Sequence, residues 1–312
     1  MKVNIGQPLA FSEIGGKERQ EDAVYPSIKD LTTEDRCFVL CDGLGGRDGG
    51  EIASNTVCSA LGCCLKSCSR ANKEITAELF EQALRCAYDE LDKRDTGALK
   101  KMGTTMTCLC LHENGYLAAH IGDSRIYHIR PADTDIAKGQ LGIVYQSSDH
   151  SLVNDLLKAG KLTKEEAEVF PQRNIVTRAM LSNQACRCKA DIFSSGDIKA
   201  GDYFFICSDG ILEKLSDQEL CSILAATTTD KEKFENIKNV CYGNTKDNFT
   251  CILVPVNSVE CEAGLHVADK GCKDETVSAQ TVVQKMNWNA LSKFIALLLL
   301  VFVLVTVLSI LL

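Results

Sequence analysis

The chain has too little positive charge for a nucleic-acid binder. It carries 34 Lys and Arg against 42 Asp and Glu, a formal net charge of −8, whereas affinity for nucleic acid rests on neutralising phosphates. The first eight residues, Met1-Lys2-Val3-Asn4-Ile5-Gly6-Gln7-Pro8, hold no apolar stretch of signal-peptide length, so the body of the chain is expected in the cytoplasm. No two of the seventeen cysteines are spaced Cys-x-x-Cys, which removes the paired spacing of a zinc knuckle. Internal repeats and low-complexity tracts are also missing. With 45% hydrophobic and 24% charged residues, the chain is too apolar to be disordered and too charged to cross a membrane many times.

Seventeen cysteines in a long chain do not make a disulfide scaffold, which is short and secreted. Cys37, Cys41, Cys108, Cys110, Cys207 and Cys251 fall inside apolar, strand-like runs, where reduced cysteine behaves as a small hydrophobe. Two clusters, Cys58 to Cys68 and Cys186 with Cys188, are weaker candidates for a metal site. One segment departs from the soluble pattern. Residues 294–312 read FIALLLLVFVLVTVLSILL without a charge, and about 20 apolar residues span a bilayer as a helix. Lys285 and Lys293 precede it and Trp288 stands at the interface position, which leaves the body of the chain on the cytoplasmic side. A single-pass anchor in the cell membrane is expected. Residues 258–293 are small and polar and read as a tether, whose flexible reach is about 30 Å.

Residues 1–257 mix strand-like and helix-like stretches. Arg36–Cys41, Thr105–Leu111, Tyr116–Ile121, Arg125–Arg130, Tyr203–Cys207 and Phe249–Val256 are short apolar runs bounded by turn residues, and read as strands. Gly50–Lys66, Ile75–Arg94, Ser151–Leu157, Thr163–Val169 and Asp217–Ala226 carry helical patterns, and Thr163 with Glu166 forms a capping-box signature. Strands in hairpin-like pairs with helices in blocks predict an α+β fold.

Acidic residues stand at strand ends. Asp42 follows FVLC and precedes Gly43; Asp209 follows FFIC-Ser208; Asp123 follows AHIG; Asp247 and Asn248 precede the last strand; and Glu21-Asp22 precede Ala23-Val24-Tyr25. Any one of these is explained by Asp capping a turn. Converging carboxylates, however, repel unless a cation neutralises them, and oxygen ligands suit Mg²⁺ or Mn²⁺. Two such ions about 3.5–4 Å apart can orient a water for in-line attack on phosphorus.

The blocks RQEDAVY, CDGLGGRDGGEIAS, GTT, GDSRIY, SSDHSLV, PQRNIVTRA, CSDGI and DNFT resemble, in order, those of the PP2C (PPM) family of metal-dependent serine/threonine protein phosphatases, in its compact bacterial form. The resemblance implies a central β-sandwich of two antiparallel sheets flanked by helices, with a two-cation site at one end. It implies that Asp42 bridges both ions, Mn²⁺ or Mg²⁺, and that the Gly43 carbonyl binds one of them. Asp209 and Asp247 hold the other, Glu21 and Asp22 hold bound waters or complete the site, and Asp123 serves a third, weaker site. Residues 151–171 match a flap beside the site. The family's phosphate-binding arginine is replaced by Lys17, with Arg19 two residues on, and Leu44 stands where eukaryotic members often have histidine. The implied activity is hydrolysis of phosphoserine and phosphothreonine in proteins by a water activated between two metals. The implied partners are phosphorylated proteins, a membrane serine/threonine kinase among them. Two rivals deserve weighing. Cys41-x5-Arg47 and Cys64-x5-Arg70 have the bare spacing of a cysteine phosphatase, but without an anion cradle around them. The Lys17 replacement also admits a catalytically weak, membrane-tethered phosphoprotein-binding module.

Overall fold

Strands buried on both faces read as unbroken apolar runs, and this chain builds its centre from them. In 37–41, Cys37, Val39 and Cys41 pack into one apolar cluster while Phe38 and Leu40 pack into another. In 203–207, Phe204 and Ile206 join Phe38 and Leu40, and Tyr203, Phe205 and Cys207 face a third cluster. The computed structural model describes residues 2–44, 49–70, 73–97, 101–168, 170–172 and 175–260, all within one unit, 1–263. Among them no helix is long and apolar enough to cross a membrane. The segment 294–312 and nearly all of the tether lie outside the described residues.

The first half contains strands β1 (Lys2–Ile5), β2 (Leu9–Glu13), β3 (Asp22–Tyr25) and β4 (Cys37–Leu44), then helices α1 (Gly49–Arg70) and α2 (Ala77–Arg94). Strands β5 (Gly103–Thr104), β6 (Met106–His112), β7 (Gly115–Ile121), β8 (Arg125–Asp135) and β9 (Gln140–Gln146) follow. Next come helices α3 (Leu152–Lys158) and α4 (Lys164–Glu168) and strands β10 (Met180–Leu181), β11 (Asp191–Ser195) and β12 (Tyr203–Cys207). Helices α5 (Asp209–Leu212), α6 (Asp217–Ala225) and α7 (Asp230–Cys241) lead to β13 (Phe249–Glu260).

One sheet has the order β1-β13-β12-β8-β9 with β2 also on β13. The other runs β10-β5-β4-β6-β7-β11 with β3 also on β4. Every pairing is antiparallel. Between the sheets lie Phe38, Leu40, Leu109, Tyr116, Phe204, Ile206 and Ile252. α1 and α2 cover the second sheet through Val57, Leu61, Phe80 and Leu84, and α6 and α7 cover the first through Leu220, Leu224, Phe234 and Ile237. Fully burying one such side chain contributes ~1.5–3 kcal/mol, which makes the three clusters the main source of stability. The α+β sandwich flanked by helices is therefore observed.

The six cysteines expected in the core are buried. Cys63, Cys64 and Cys186 are exposed, so among the described residues neither sequence cluster gathers into a buried metal site. Thr163 and Glu166 do bond reciprocally, Thr163 N to Glu166 Oε2 at 2.8 Å and Glu166 N to Thr163 Oγ1 at 3.2 Å. Strands β1, β2, β5, β9, β10 and β11 and helices α5 and α7 are not legible in the sequence pattern. Strands β9 and β11 are half-exposed with mixed side chains, and α7 (DKEKFENIKNVC) buries only Lys233, Phe234, Ile237 and Cys241.

Candidate active site

Strand pairing makes the first approach. Asp22 on β3 lies directly opposite Asp42 on β4, so both carboxylates leave the same face of the sheet. β4 does not end at Cys41 but continues to Leu44, because β5 pairs Thr104 with Gly43 and Gly103 with Leu44. Asp42 N–H donates to Thr105 Oγ1 at 2.9 Å, and Asp42 O accepts from Thr105 N and Thr104 Oγ1, both at 2.8 Å. Thr105 Oγ1 meets Ser124 Oγ at 2.9 Å, which ties β4 to the turn carrying Asp123. A Cβ on Gly43 would strike the carbonyls of Gly50 and Glu21. Only glycine lets β4 lie this close to the first turn of α1.

The other sheet supplies the rest. Asp209 opens α5 directly after β12, behind Ser208. Ser208 Oγ donates to Asp22 Oδ2 at 2.9 Å and accepts from Thr250 N at 3.0 Å. Asn248 pins the loop before β3: its Oδ1 accepts from Glu21 N, and its Nδ2 donates to Ile14 O and Arg19 O, each at 2.8 Å. Asp247 Oδ1 accepts from Asn248 N and from Lys17 Nζ, both at 2.8 Å.

The carboxylates feel one another strongly. Burial, then the charges of Asp22, Asp209, Asp123 and Asp247, holds the Asp42 carboxyl well above its ordinary range. Burial pushes Asp22 to about 7 against the hydroxyl bonds of Thr250 and Ser208, and Asp123 to about 7 with Asp209 adding to the effect. Asp209 rises to about 6, from burial and then from Asp247. Glu21 is raised by burial, offset in part by Lys17. Lys17 is itself raised, since Asp247, Asp42 and Glu21 together outweigh its desolvation. Two buried oxygens, Asp22 Oδ1 and Asp209 Oδ1, have no hydrogen-bond partner among the described residues. Hard oxygen donors that repel one another and leave lone pairs unused fit divalent cations of the Mg²⁺ or Mn²⁺ kind.

All the acidic candidates, Glu21, Asp22, Asp42, Asp123, Asp209 and Asp247, thus meet at one end of the sandwich, with Gly43 among them. A cavity of about 200 Å³ adjoins them, lined in part by Asp123, Arg125, Asp149, Asp209 and Glu213. Lys17 and Arg19 are not on a strand. Gly15 to Arg19 form a turn and bends, so the strand rule that puts residues i and i+2 on one side does not govern them. The cysteine rival is not favoured: Cys41 is buried in β4, where burial with Cys58 alongside holds its thiol well above the usual value, and burial with Cys86 alongside raises the exposed Cys64 on α1. Arg47 lies outside the described residues. Asn248, Ser208, Thr105 and Ser124, which hold the acidic residues in place, have their sequence signal in the DNFT, CSDG, GTT and GDSR blocks.

Residues 12–237 match the family model described as Protein phosphatase 2C. The chain belongs to the protein phosphatase 2C family. Protein phosphatase PhpP of Streptococcus pneumoniae is 35% identical over 229 residues, 72% of this chain and 87% of that protein. The serine/threonine phosphatase Stp1 from Staphylococcus aureus superposes with a TM-score of 0.63 at 29% identity, over 83% of this chain and 98% of that one. The catalytic domain of the serine/threonine protein phosphatase PstP, in complex with two manganese ions, matches with a TM-score of 0.63 at 25% identity, over 82% of this chain and all of that one. As a protein phosphatase 2C, the chain is a serine/threonine protein phosphatase.

Proposed function

We propose that this chain hydrolyses phosphoserine and phosphothreonine in proteins with two divalent cations, Mn²⁺ or Mg²⁺, tethered by residues 258–293 to a helix, 294–312, in the cell membrane. The observation that carries the chemistry is the set of mutually repelling, half-buried and buried carboxylates, in which Asp22 Oδ1 and Asp209 Oδ1 have no hydrogen-bond partner among the described residues. Asp42 would hold both ions, with the Gly43 carbonyl beside it. Asp209 and Asp247 would hold one ion, Glu21 and Asp22 would complete the set, and Asp123 would serve a third, weaker site. When bound, two such ions supply a water of lowered pKa and offset charge on the phosphoryl oxygens.

The chain's own groups do the rest. Ser208 and Thr105 fix Asp22 and Asp42, so that little reorganisation remains when charge develops. Asp247 spends Oδ1 on Asn248 N and Lys17 Nζ, which leaves Oδ2 for an ion. Lys17 and Arg19, on the loop that Asn248 pins, supply positive charge for the substrate phosphate, with Lys17 acting as a point charge without arginine's fork. The tether and membrane helix rest on the uncharged stretch at 294–312 and the length rule for spans. Confinement to one surface would raise the effective concentration of a membrane serine/threonine kinase as substrate. The non-catalytic binding module is not favoured, because the full acidic set converges.

The test is hydrolysis of a phosphothreonine peptide by the full chain in mild detergent. Turnover is expected to require Mn²⁺ or Mg²⁺, to stop in EDTA, and to disappear in Asp42→Ala and Asp209→Ala. Undiminished turnover in those variants would sink the two-cation chemistry.

A further inference from the structure

The turn that delivers Asp123 is gripped by one histidine. Gly122 has φ +112°, and His150 bonds it twice. The main-chain N–H of His150 donates to Gly122 O at 2.9 Å, and the ring Nδ1 accepts from Gly122 N at 3.0 Å. The same residue sits at the stem of the segment 151–176. His150 O accepts from Thr177 N at 2.8 Å, Leu152 N donates to Ile175 O at 2.9 Å, and Ser151 bridges Val176. Ser151 and Val153 line the cavity that Asp123 and Asp209 also line.

The Gly122 N–H sets the ring's tautomer. With Nδ1 accepting, the neutral imidazole carries its proton on Nε2, which is 3.2 Å from Asp191 Oδ2. Arg178 Nη1 is 2.8 Å from that same nitrogen, and also 2.8 Å from Asp191 Oδ1. A protonated Nε2 cannot accept, so Arg178 is paired with Asp191. His120 stacks on the ring, with centroids 4.6 Å apart and planes 9° from parallel. Burial, with His120 and Arg178, holds His150 below its ordinary pKa, which keeps the acceptor free.

We propose that His150 is a positioning residue: through Nδ1 it locks the Gly122 turn, and hence Asp123, to the stem of the 151–176 segment, so that cation holding at Asp123 and entry of the phosphopeptide are set by one contact. This rests on the phosphatase reading above. The contact reaches the chemistry through Asp123, which follows Gly122 and lines the same cavity as Asp209, Ser151 and Val153.

An asparagine amide reaches the place of Nδ1 and a glutamine amide the place of Nε2, so two conservative variants separate the halves of the ring. Full-chain His150→Asn is expected to keep KM for a phosphothreonine peptide, and the weaker phase of Mn²⁺ binding read by calorimetry, within about twofold of wild type. His150→Gln and His150→Ala each leave a buried N–H unpaired and are expected to weaken both by at least about fivefold, with tight Mn²⁺ binding unchanged. In the unsubstituted protein, ¹⁵N spectra of histidine-labelled chain are expected to show His150 as the Nε2–H tautomer. Gln matching Asn, Ala matching wild type, or an Nδ1–H tautomer would overturn the proposal. The spectrum decides it even where a variant fails to fold. A wild-type protein without Mn²⁺-dependent turnover would instead refute the phosphatase reading, leaving the tautomer result standing.

Discussion

Neutralising one acidic residue should stabilise this protein while destroying its activity. Asp209 is half-buried, its Oδ1 is buried with no hydrogen-bond partner among the described residues, and burial, then Asp247 and Glu213, lift its carboxyl from 3.8 to about 6. The sign follows from proton counting. A carboxyl raised in the folded state binds more protons folded than unfolded, so stability is lost as pH climbs from 3.8 to about 6 and the loss is complete above that. At 1.36 kcal/mol for each pKa step, the ionised side chain costs ~3 kcal/mol at neutral pH. Asp209→Asn removes that charge and also relieves Asp42, Asp22 and Asp123, each of which Asp209 raises. In EDTA at pH 7.5 the variant should therefore melt roughly 6–12 °C above wild type, at ~2–4 °C per kcal/mol for a body of this size. Near pH 4 the two should converge. Saturating Mn²⁺ should reverse the order, raising wild type by RT ln(1 + [L]/Kd), ~4.1 kcal/mol at a thousandfold excess over Kd, while the variant stays put. The assay is differential scanning calorimetry across pH with and without Mn²⁺. An Asp209→Asn protein that melts at or below wild type in EDTA at pH 7.5, or a gap that persists at pH 4, refutes the idea that these carboxylates are held together against their own repulsion.

Further outcomes are expected. Lys17→Ala should raise KM for a phosphothreonine peptide ~3–10-fold in steady-state kinetics yet move the melting temperature little, because its half-exposed pair with Asp247 is the kind worth only ~0–1 kcal/mol; Lys17→Arg should restore or improve KM. A thiol reagent should label Cys63, Cys64, Cys86 and Cys186 quickly and leave Cys37, Cys41, Cys108, Cys110, Cys207 and Cys251 unlabelled until denaturant is added, as read by mass spectrometry. Removing residues 286–312 should leave peptide hydrolysis unchanged and slow dephosphorylation of a vesicle-bound kinase; equal rates on both substrates would discard the membrane tether.

Much of this was legible in the residues themselves. Runs such as FVLC and YFFIC are buried on both faces, so their composition announces a strand whatever surrounds it, and Thr163 with Glu166 specifies a helix start through local hydrogen bonds alone. The acidic candidates could be named because cation chemistry restricts the residue types that serve it. Long-range partners decided the remainder. Strand β4 runs on through Asp42 and Gly43 because Gly103 and Thr104 pair with its end, from some sixty residues away in the chain. Helix α7 exists because Phe234, Ile237 and Cys241 find a cluster to cover. Lys17 rests on Asp247 because Asn248 pins the loop between them, and the grip of His150 on Gly122 needs both brought to the same corner. A linear sequence shows which groups are suited to a task; only the packed chain sets which of them stand close enough for charge and hydrogen bonding, which act over a few ångströms, to combine them.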